Sequence, residues 1–556
     1  MSEENIIESD VLVIGGGIAG CSAAITAREK GLSVVLVDKG YIGKTGATFG
    51  AGTNFTVYNP EMGSDYDAYM NKTIVESDYL NNRDWTETIM NESWSLYETL
   101  SKWGVEFPIQ EKEGRFYTIY PPYLQARLVR RGVSPPLRKQ AIKSGVKVVD
   151  KTVIADLIKQ NGRIAGAIGF SVYSLDTYIF KTKAIVIGTG TCMLRNSFGE
   201  VHELTGDGSA MAYRAGAELI GGDMHNNQAA MAAYPSWKGG RAGRSLYRRY
   251  YIDALGEKLS HGYESDTTLE LAFHAGRGPL YHTLDEATTE ELDAICEHMK
   301  TSDALESERI GYDPYKRGKH QLSGGGLTDI WGASAIWPVD LTCASTVPGL
   351  YAAGDSLGHM AYWWGGIVPG GVTGRRAGAY AAEYAQQVRK PVISEKEIDR
   401  LKKDMYAPVE RQSGFNPRWI TQVLLHMVVP YYVLIVQHGK RLQAALTFVE
   451  FFKDHFVPKM LANDGHELRI AHETKNMVTS AEMMLRASLF RTESRGYHYR
   501  EDYPARDDAN WLAWVKLKEA RGKMKVWKHP IPEKWWPDMS KPYKERYRNH
   551  RKFPGE

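Results

Sequence analysis

The sequence predicts an α/β protein in which a parallel-sheet domain is interrupted by an insertion and followed by helices. Three observations carry this reading. An apolar strand near the N-terminus runs into a glycine-rich turn and a helix of small residues. Glycine-punctuated elements recur at 184–190, 205–208 and 349–355, too far along the chain for one uninterrupted unit. From Ser394 to about Leu489 the apolar spacing is helical and glycines are few, which predicts a helical bundle.

The first element is Asp10-Val11-Leu12-Val13-Ile14, a continuous apolar run of the kind a strand covered on both faces requires. Gly15-Gly16-Gly17-Ile18-Ala19-Gly20 follows, with Ala19, Ala23, Ala24 and Ala27 on one helical face, small enough for close packing on a sheet. A second strand, Val34-Val35-Leu36-Val37, ends in Asp38. Together these form a dinucleotide-binding fingerprint. Gly15 permits the tight turn, Gly17 lets the backbone approach a pyrophosphate, Gly20 allows helix and strand to meet, and Asp38 accepts hydrogen bonds from a ribose diol.

Val146–Leu157 and Arg163–Phe170 read as a β-meander leading into Ala184–Gly190, an apolar strand placed to close a nucleotide site from its far side. Thr205-Gly206-Asp207-Gly208 opens a helix, Gly349–Asp355 is another strand ending on Gly-Asp, and after Gly374–Gly378 a helix runs to about Val388. These boundaries divide the chain into a discontinuous nucleotide domain (1–235 and 346–392), an inserted domain (236–345), a helical domain (393–515) and a tail (516–556). The stretch 521–556 holds eleven Lys/Arg against four Asp/Glu, with Trp527, Trp535, Trp536 and five prolines. It reads as an extended arm, packed either on another subunit or on its own.

With 556 residues, 43% hydrophobic and 24% charged, the chain is an ordinary globular protein and not a collagenous, disordered or disulfide-scaffold one. A net charge of +3 gives no footprint for nucleic acid. Cys21, Cys192, Cys296 and Cys343 are far apart, which excludes a zinc ribbon or a self-contained iron–sulfur cluster, predicts no metal site and suits a reducing compartment. The polar start at Met1–Asp10 is unlike a secretion signal, so a cytoplasmic location is expected. The most apolar run, Val423–Val436, contains His426 and Pro430 and falls short of the roughly 20 residues of a membrane span; no transmembrane segment is expected, and the run reads as a buried helix.

The motifs VLVIGGGIAG at 11–20, VVLVDKG at 34–40, TGDGSAMAYRAGAEL at 205–219, GLYAAGD at 349–355, GRRAG at 374–378 and RTESRGYHYREDYPARDDANW at 491–511 together resemble the flavoprotein subunits of the succinate dehydrogenase and fumarate reductase superfamily. AGAEL, TGAT at 45–48, the helical region before Arg491 and the aromatic tail most resemble the alpha subunit of adenylylsulfate reductase. The resemblance implies a Rossmann-like FAD-binding domain of the glutathione-reductase type, an α+β capping domain over the flavin and a helical domain. It assigns Gly15, Gly17, Gly20, Asp38 and Lys39 to the pyrophosphate and adenosine ribose, and Thr45, Gly46 and Ala47 to the flavin. Gly188 and Thr189 fall at the adenylate end, Asp207 and Asp355 at the sugar and ribityl chain, and Gly366 and Ile367 complete the cofactor set. Gly46 stands where succinate dehydrogenases carry the histidine bonded to flavin, so FAD is expected to be non-covalent.

Departures from the family narrow the substrate. The proton-donating arginine that precedes a G-R-G motif in dicarboxylate enzymes falls at about Thr267 here, ahead of Gly276-Arg277-Gly278. A second arginine, expected after Asp355, is absent from GHMAYWWGGIVPGGVTG. Without two guanidiniums a C4-dicarboxylate is poorly clamped. The flavin-facing histidine of adenylylsulfate reductases falls on Tyr362 or Trp364, depending on the direction of counting. His320, ahead of Gly324-Gly325-Gly326, matches the substrate histidine of dicarboxylate enzymes, and reads either as a proton acceptor beside the flavin or as a loop histidine bonded to backbone. Arg241, Arg244, Arg248 and Arg249 read mainly as a solvated face.

The expected function is an FAD-dependent oxidoreductase with His320, Tyr362 and Trp364 as candidate catalytic residues. It would act on a small, cyclic or aromatic substrate and exchange electrons with a separate ferredoxin-like iron–sulfur subunit. The alternatives are adenylylsulfate reductase activity proper, a self-contained oxidase or dehydrogenase of the aspartate-oxidase type, and a non-catalytic flavin-binding subunit.

Overall fold

The computed structural model of the chain describes residues 4–554 apart from 51–53, 110–113, 119–121, 130, 195–201, 228–249, 262–265, 291, 294–317, 322–329, 332–333 and 363–364. Much of the insertion, including Arg241, Arg244, Arg248 and Arg249, therefore lies outside the described residues, as do Trp363, Trp364 and Cys296.

β1 (Glu4–Ile14) begins at the surface and is fully covered from Val11 onward. Helix α1 (Ile18–Glu29) packs on it through its alanine face, and β2 (Val34–Val37) runs parallel to β1 with Val34 opposite Val11. Helix α2 (Arg83–Lys102) is amphipathic, capped by the Asn82 side chain, and buries Trp85, Ile89, Leu96 and Leu100. β3 (Lys147–Val149) pairs with β2, and β4 (Thr152–Gln160), β5 (Arg163–Ser171) and β6 (Thr177–Ile187) form the antiparallel meander expected from their patterning. The strand order is β3-β2-β1-β6-β5-β4, and a late strand, Leu350–Ala352, completes seven by pairing with the C-terminal half of β6. Residues 350–352 thus rejoin a sheet begun at residue 4, as an interrupted domain demands.

Helix α3 (Asp207–Arg214) follows the sheet and leads to β7 (Leu219–Ile220). Within the insertion, Lys258–His261, Tyr250–Ile252, Tyr281–Thr283 and Lys319–Gln321 make a four-stranded antiparallel sheet beside a helix at Asp266–His274. β8 (Ala335–Ile336) pairs with β7. Helix α4 (Ile367–Gln387) starts earlier than the sequence pattern suggests and contains the whole Gly374–Gly378 motif. Gly374 and Gly378 face Ala19 and Ala23 of α1, where a Cβ would collide with backbone carbonyls; absence of side chains lets the two helices touch.

The helical region comprises α5 (Glu395–Glu410), α6 (Pro417–Val428), α7 (Gly439–Phe451) and α8 (Gly465–Phe490), with an apolar core that includes Leu424, Leu442, Val449, Met477 and Leu485. The apolar run Val423–Val436 is not one buried helix. α6 stops at Val428, Pro430 precedes a single turn at Tyr431–Leu434, and Val436 enters a short strand, because proline has no amide to continue the ladder. No helix among the described residues is long and apolar enough to cross a membrane.

The tail corrects the picture of an extended arm. β9 (Ala513–Ala520) and β10 (Lys523–Pro530) form a hairpin, turned at Arg521-Gly522, that adds to β7 and β8 in a second four-stranded sheet ordered β8-β7-β9-β10. A division between 515 and 516 therefore falls inside β9. Trp535, Tyr547, His550 and Phe553 beyond the hairpin are buried against their own chain.

Candidate functional site

The parallel strands β1, β2, β6 and Leu350–Ala352 end at one edge of the main sheet, and a cleft of about 330 Å³ opens there. Such a crevice, outside the carboxyl ends of the strands, is where doubly wound sheets bind ligands. Its floor is mostly backbone. Gly15, at φ +105°, leans on the turn after β6, where a Cβ would strike the Gly188 carbonyl. Gly15, Gly17, Gly188 and Thr189 line the cleft, whereas Gly20 does not: it packs against the Gly15 carbonyl and sets the approach of α1 to β1. That is a correction to its place among the cofactor contacts.

Gly17, the N-cap of α1, has no side chain to cap the helix, and the first turn faces the cleft, leaving a helix N-terminus suited to phosphate. Thr48 Oγ1 accepts from Ile18 N at 3.1 Å and fixes the Thr45-Gly46-Ala47 segment beside that turn. On the opposite wall, α4 also starts without a side-chain cap, and Gly366 and Ile367 open on the same space. Asp355 stands beside them with its carboxylate open to the cleft; the surrounding protein raises its pKa by desolvation.

Asp38 ends β2 as expected, but both its oxygens are engaged. Oδ2 accepts from Gly16 N and Oδ1 from Gly40 N, each at 2.6 Å, so the carboxylate braces two turns as well as lining the cleft. Burial raises its pKa against the lowering effect of these amides. Lys39 also lines the cleft, yet its ammonium is already paired: Nζ lies 2.7 Å from Asp207 Oδ2 and 2.7 Å from Glu473 Oε1, and donates to Thr205 Oγ1 at 2.8 Å. Burial disfavours the ammonium, and the two carboxylates outweigh it and raise its pKa. Asp207, in the first turn of α3, accepts from Asn476 as well.

Glu473 and Asn476 belong to α8, and no motif announces them; only the fold brings residues more than 260 positions from Asp207 to this edge. His359 carries no motif either. It lies in the loop after Asp355, its Nδ1 accepts from Ala361 N, and burial pushes its pKa down to about 4, so the ring is neutral near pH 7.

The candidate catalytic residues are not brought together. Tyr362 is absent from the cleft lining; it adopts a left-handed backbone (φ +55°), stacks on Tyr497 with ring centroids 6.5 Å apart, and buries a hydroxyl that has no hydrogen-bond partner among the described residues. Trp364 lies outside the described residues. His320 sits on the strand Lys319–Gln321, opposite His282 in the insertion's sheet; its side chain is not among those described. Thr267 lies on the Asp266–His274 helix, and Arg277 is tied to Asp253 and Glu257.

A glycine cradle that a Cβ would fill, two helix starts with glycine at the N-cap and an acid at each end of the cleft fit a dinucleotide. The FAD binding domain family matches residues 10–367, and the C-terminal domain of fumarate reductase flavoproteins matches residues 425–547. The chain belongs to this FAD-binding flavoprotein family and is an FAD-dependent oxidoreductase of the fumarate reductase and succinate dehydrogenase type. It is 26% identical to one of the subunits of the CoM/CoB fumarate reductase of Methanothermobacter marburgensis, over 90% of this chain and 96% of that one. It is 24% identical to the L-aspartate oxidase of Halalkalibacterium halodurans, over 89% of this chain and 93% of that protein. Its fold matches that of adenylylsulfate reductase from Archaeoglobus fulgidus with a TM-score of 0.79 at 22% identity, covering 96% of this chain and 97% of that one.

Proposed function

We propose that this chain is the flavoprotein half of a cytoplasmic electron-transfer pair, moving electrons between a small substrate and a separate ferredoxin-like iron–sulfur protein. The observation that carries the reading is the cleft, where Gly15, Gly17, the start of α1 and the start of α4 leave backbone amides for a pyrophosphate and a flavin. FAD, when bound, supplies hydride or single-electron chemistry at its ring. Asp38 and Asp355 would take the sugar hydroxyls, and Lys39, held by Asp207 and Glu473, would fix the wall between them. Gly46, without a side chain, offers no atom for a covalent bond to the cofactor.

The need for an outside redox partner is supported by the thiols. Cys21, Cys192 and Cys343 are each buried singly, and burial raises every one, Cys21 to about 12 and Cys192 to about 11. They are packing residues, unlike the grouped thiolates a cluster requires. The missing arginine clamp argues against a C4-dicarboxylate, and we assign a small cyclic or aromatic substrate, with His320 as proton acceptor.

The test is anaerobic purification of the tagged chain from its native host, with iron and labile-sulfide assay and acid precipitation. A stoichiometric iron–sulfur protein and flavin released into the acid supernatant are expected. Yellow, iron-free chain that consumes oxygen on reduction would overturn the paired reading in favour of a self-contained oxidase. In the same preparation, flavin turnover with fumarate or adenylylsulfate but with no cyclic enone or phenol would overturn the substrate assignment.

A further inference from the structure

The hairpin β9–β10 carries a face that the cleft does not use. Antiparallel pairing sets Lys516 opposite Trp527, Lys518 opposite Lys525 and Trp514 opposite His529, all on one side of the sheet. Three ammonium groups surround the half-buried Trp527 ring: Lys516 at 5.7 Å, Lys518 at 5.8 Å and Lys525 at 5.8 Å from its centroid. Glu218 is the acid that answers them, 2.5 Å from Lys516 and 3.6 Å from Lys518, so Lys525 and the neighbouring Lys523 leave the face positive. Stability alone does not call for such a cluster, since each lysine added beside another costs repulsion.

The face also backs onto the cleft's loop. Lys516 Nζ lies 4.2 Å over the Trp337 ring, Trp337 packs on Trp514 with centroids 5.5 Å apart, and Trp514 shares an apolar cluster with Leu80, Ile220 and Met360. Met360 belongs to the segment that joins Asp355 to Gly366, the two sides of the cleft's far wall, and takes a left-handed backbone there (φ +49°). One layer of tryptophans therefore separates the positive surface from the loop at the flavin end. Lys523 and Lys525 are exposed and Lys518 and Trp527 partly so, while Lys516 and Trp514 lie buried, so the surface offered to a partner is Trp527 with Lys518, Lys523 and Lys525 around it.

We propose that this lysine-ringed tryptophan face is the docking surface for an acidic electron-transfer protein. The inference rests on the paired reading of the proposed function and adds the place and the charge of the partner. A rim of lysines steers an acidic surface, and Trp527 supplies the apolar anchor at its centre.

The experiment uses the full-length, FAD-loaded chain and, as probe, a purified acidic ferredoxin with two [4Fe–4S] clusters, with binding followed by calorimetry at 50 and 300 mM salt. The native chain is expected to bind, and to weaken at high salt. Lys518→Glu with Lys525→Glu should weaken binding at least tenfold while keeping the native melting temperature and flavin spectrum. Lys396→Glu with Lys403→Glu, on the remote exposed face of α5, should bind as the native chain does. No binding by the native chain, unchanged binding by the hairpin variant, or displacement of ferredoxin by a 12-nucleotide single-stranded DNA would each overturn the assignment. An iron–sulfur protein that co-purifies with the native chain and with the hairpin variant alike would sink this surface and leave the paired reading standing.

Discussion

The cleft and the C-terminal end of the chain are both polar regions inside an apolar protein, and they are made in opposite ways. The cleft is built from backbone: glycines, helix starts and strand ends drawn from short local motifs. The C-terminal region is built from charge. Asp78 accepts from Arg506 Nη2 at 2.8 Å and Gly496 N at 2.7 Å, and bonds to His550 Nδ1 at 2.7 Å. Glu493 bridges Arg491 and Arg495, which reach Asp223 and Asp508 in turn, and every one of these residues is buried. A site meant to receive a ligand leaves donors unspent, whereas a site meant to lock a tail spends them all.

The sharpest way to break this comparison is at the cleft. Gly20→Val places a Cβ on the Gly15 carbonyl, and neither α1 nor β1 can retreat from a sheet covered on both faces. The protein should emerge without flavin, read as loss of visible absorbance relative to protein; a yellow, native-like variant would show that the turn is not the cradle.

Next in size is Asp78→Ala, which strands Arg506 and His550 without their carboxylate in a buried site. The expected cost is about 3–5 kcal/mol in denaturant unfolding, with flavin content unchanged in the native state. The pH dependence has a definite sign. Burial opposes the charge on Asp78, but the His550 hydrogen bond and Arg506 prevail and hold its pKa below the usual carboxylate range. A depressed carboxyl contributes stability above its unfolded pKa, so the gap between native chain and variant should be full at pH 6 and shrink as pH falls below about 4.

These two predictions track what the sequence can reveal. The glycine turn, Asp38, the meander and the returning strand at 350–352 are legible because each is set by neighbours within a few residues. Asp78 carries no local sign of its role; its partners lie more than 400 residues away, and side-chain charge at that range has no periodicity to read. The tail misleads for a related reason: five prolines in 521–556 suggest an extended arm, yet the first of them, Pro530, only ends β10. The run Val423–Val436 misleads too: its hydrophobicity presents one buried helix, yet the missing amide of Pro430 outweighs the hydrophobicity of its neighbours and breaks it.

Glu473→Gln tests the contact where both designs meet. Lys39 keeps Asp207 but loses the second carboxylate, so the wall beside Asp38 loosens without a collision. FAD should dissociate about tenfold more readily, roughly 1.4 kcal/mol, measured by fluorescence on dilution. An unchanged dissociation constant would confine α8 to a structural role.

The smallest effect belongs to a charge cluster that resembles the C-terminal one in composition alone. Arg400 pairs with Glu397 and Asp404 along α5, at 2.8 and 3.0 Å, as closely as Arg506 meets Asp78. Its side chain is 57% exposed, however, so water screens both pairs and recovers the ions when they part. Arg400→Ala should cost under about 0.5 kcal/mol in the same denaturant titration, and that small cost should vanish in about 1 M salt, where the loss from Asp78→Ala persists. Equal losses at the two sites would mean that contact distance, and not exclusion of water, sets the strength of ion pairs in this fold.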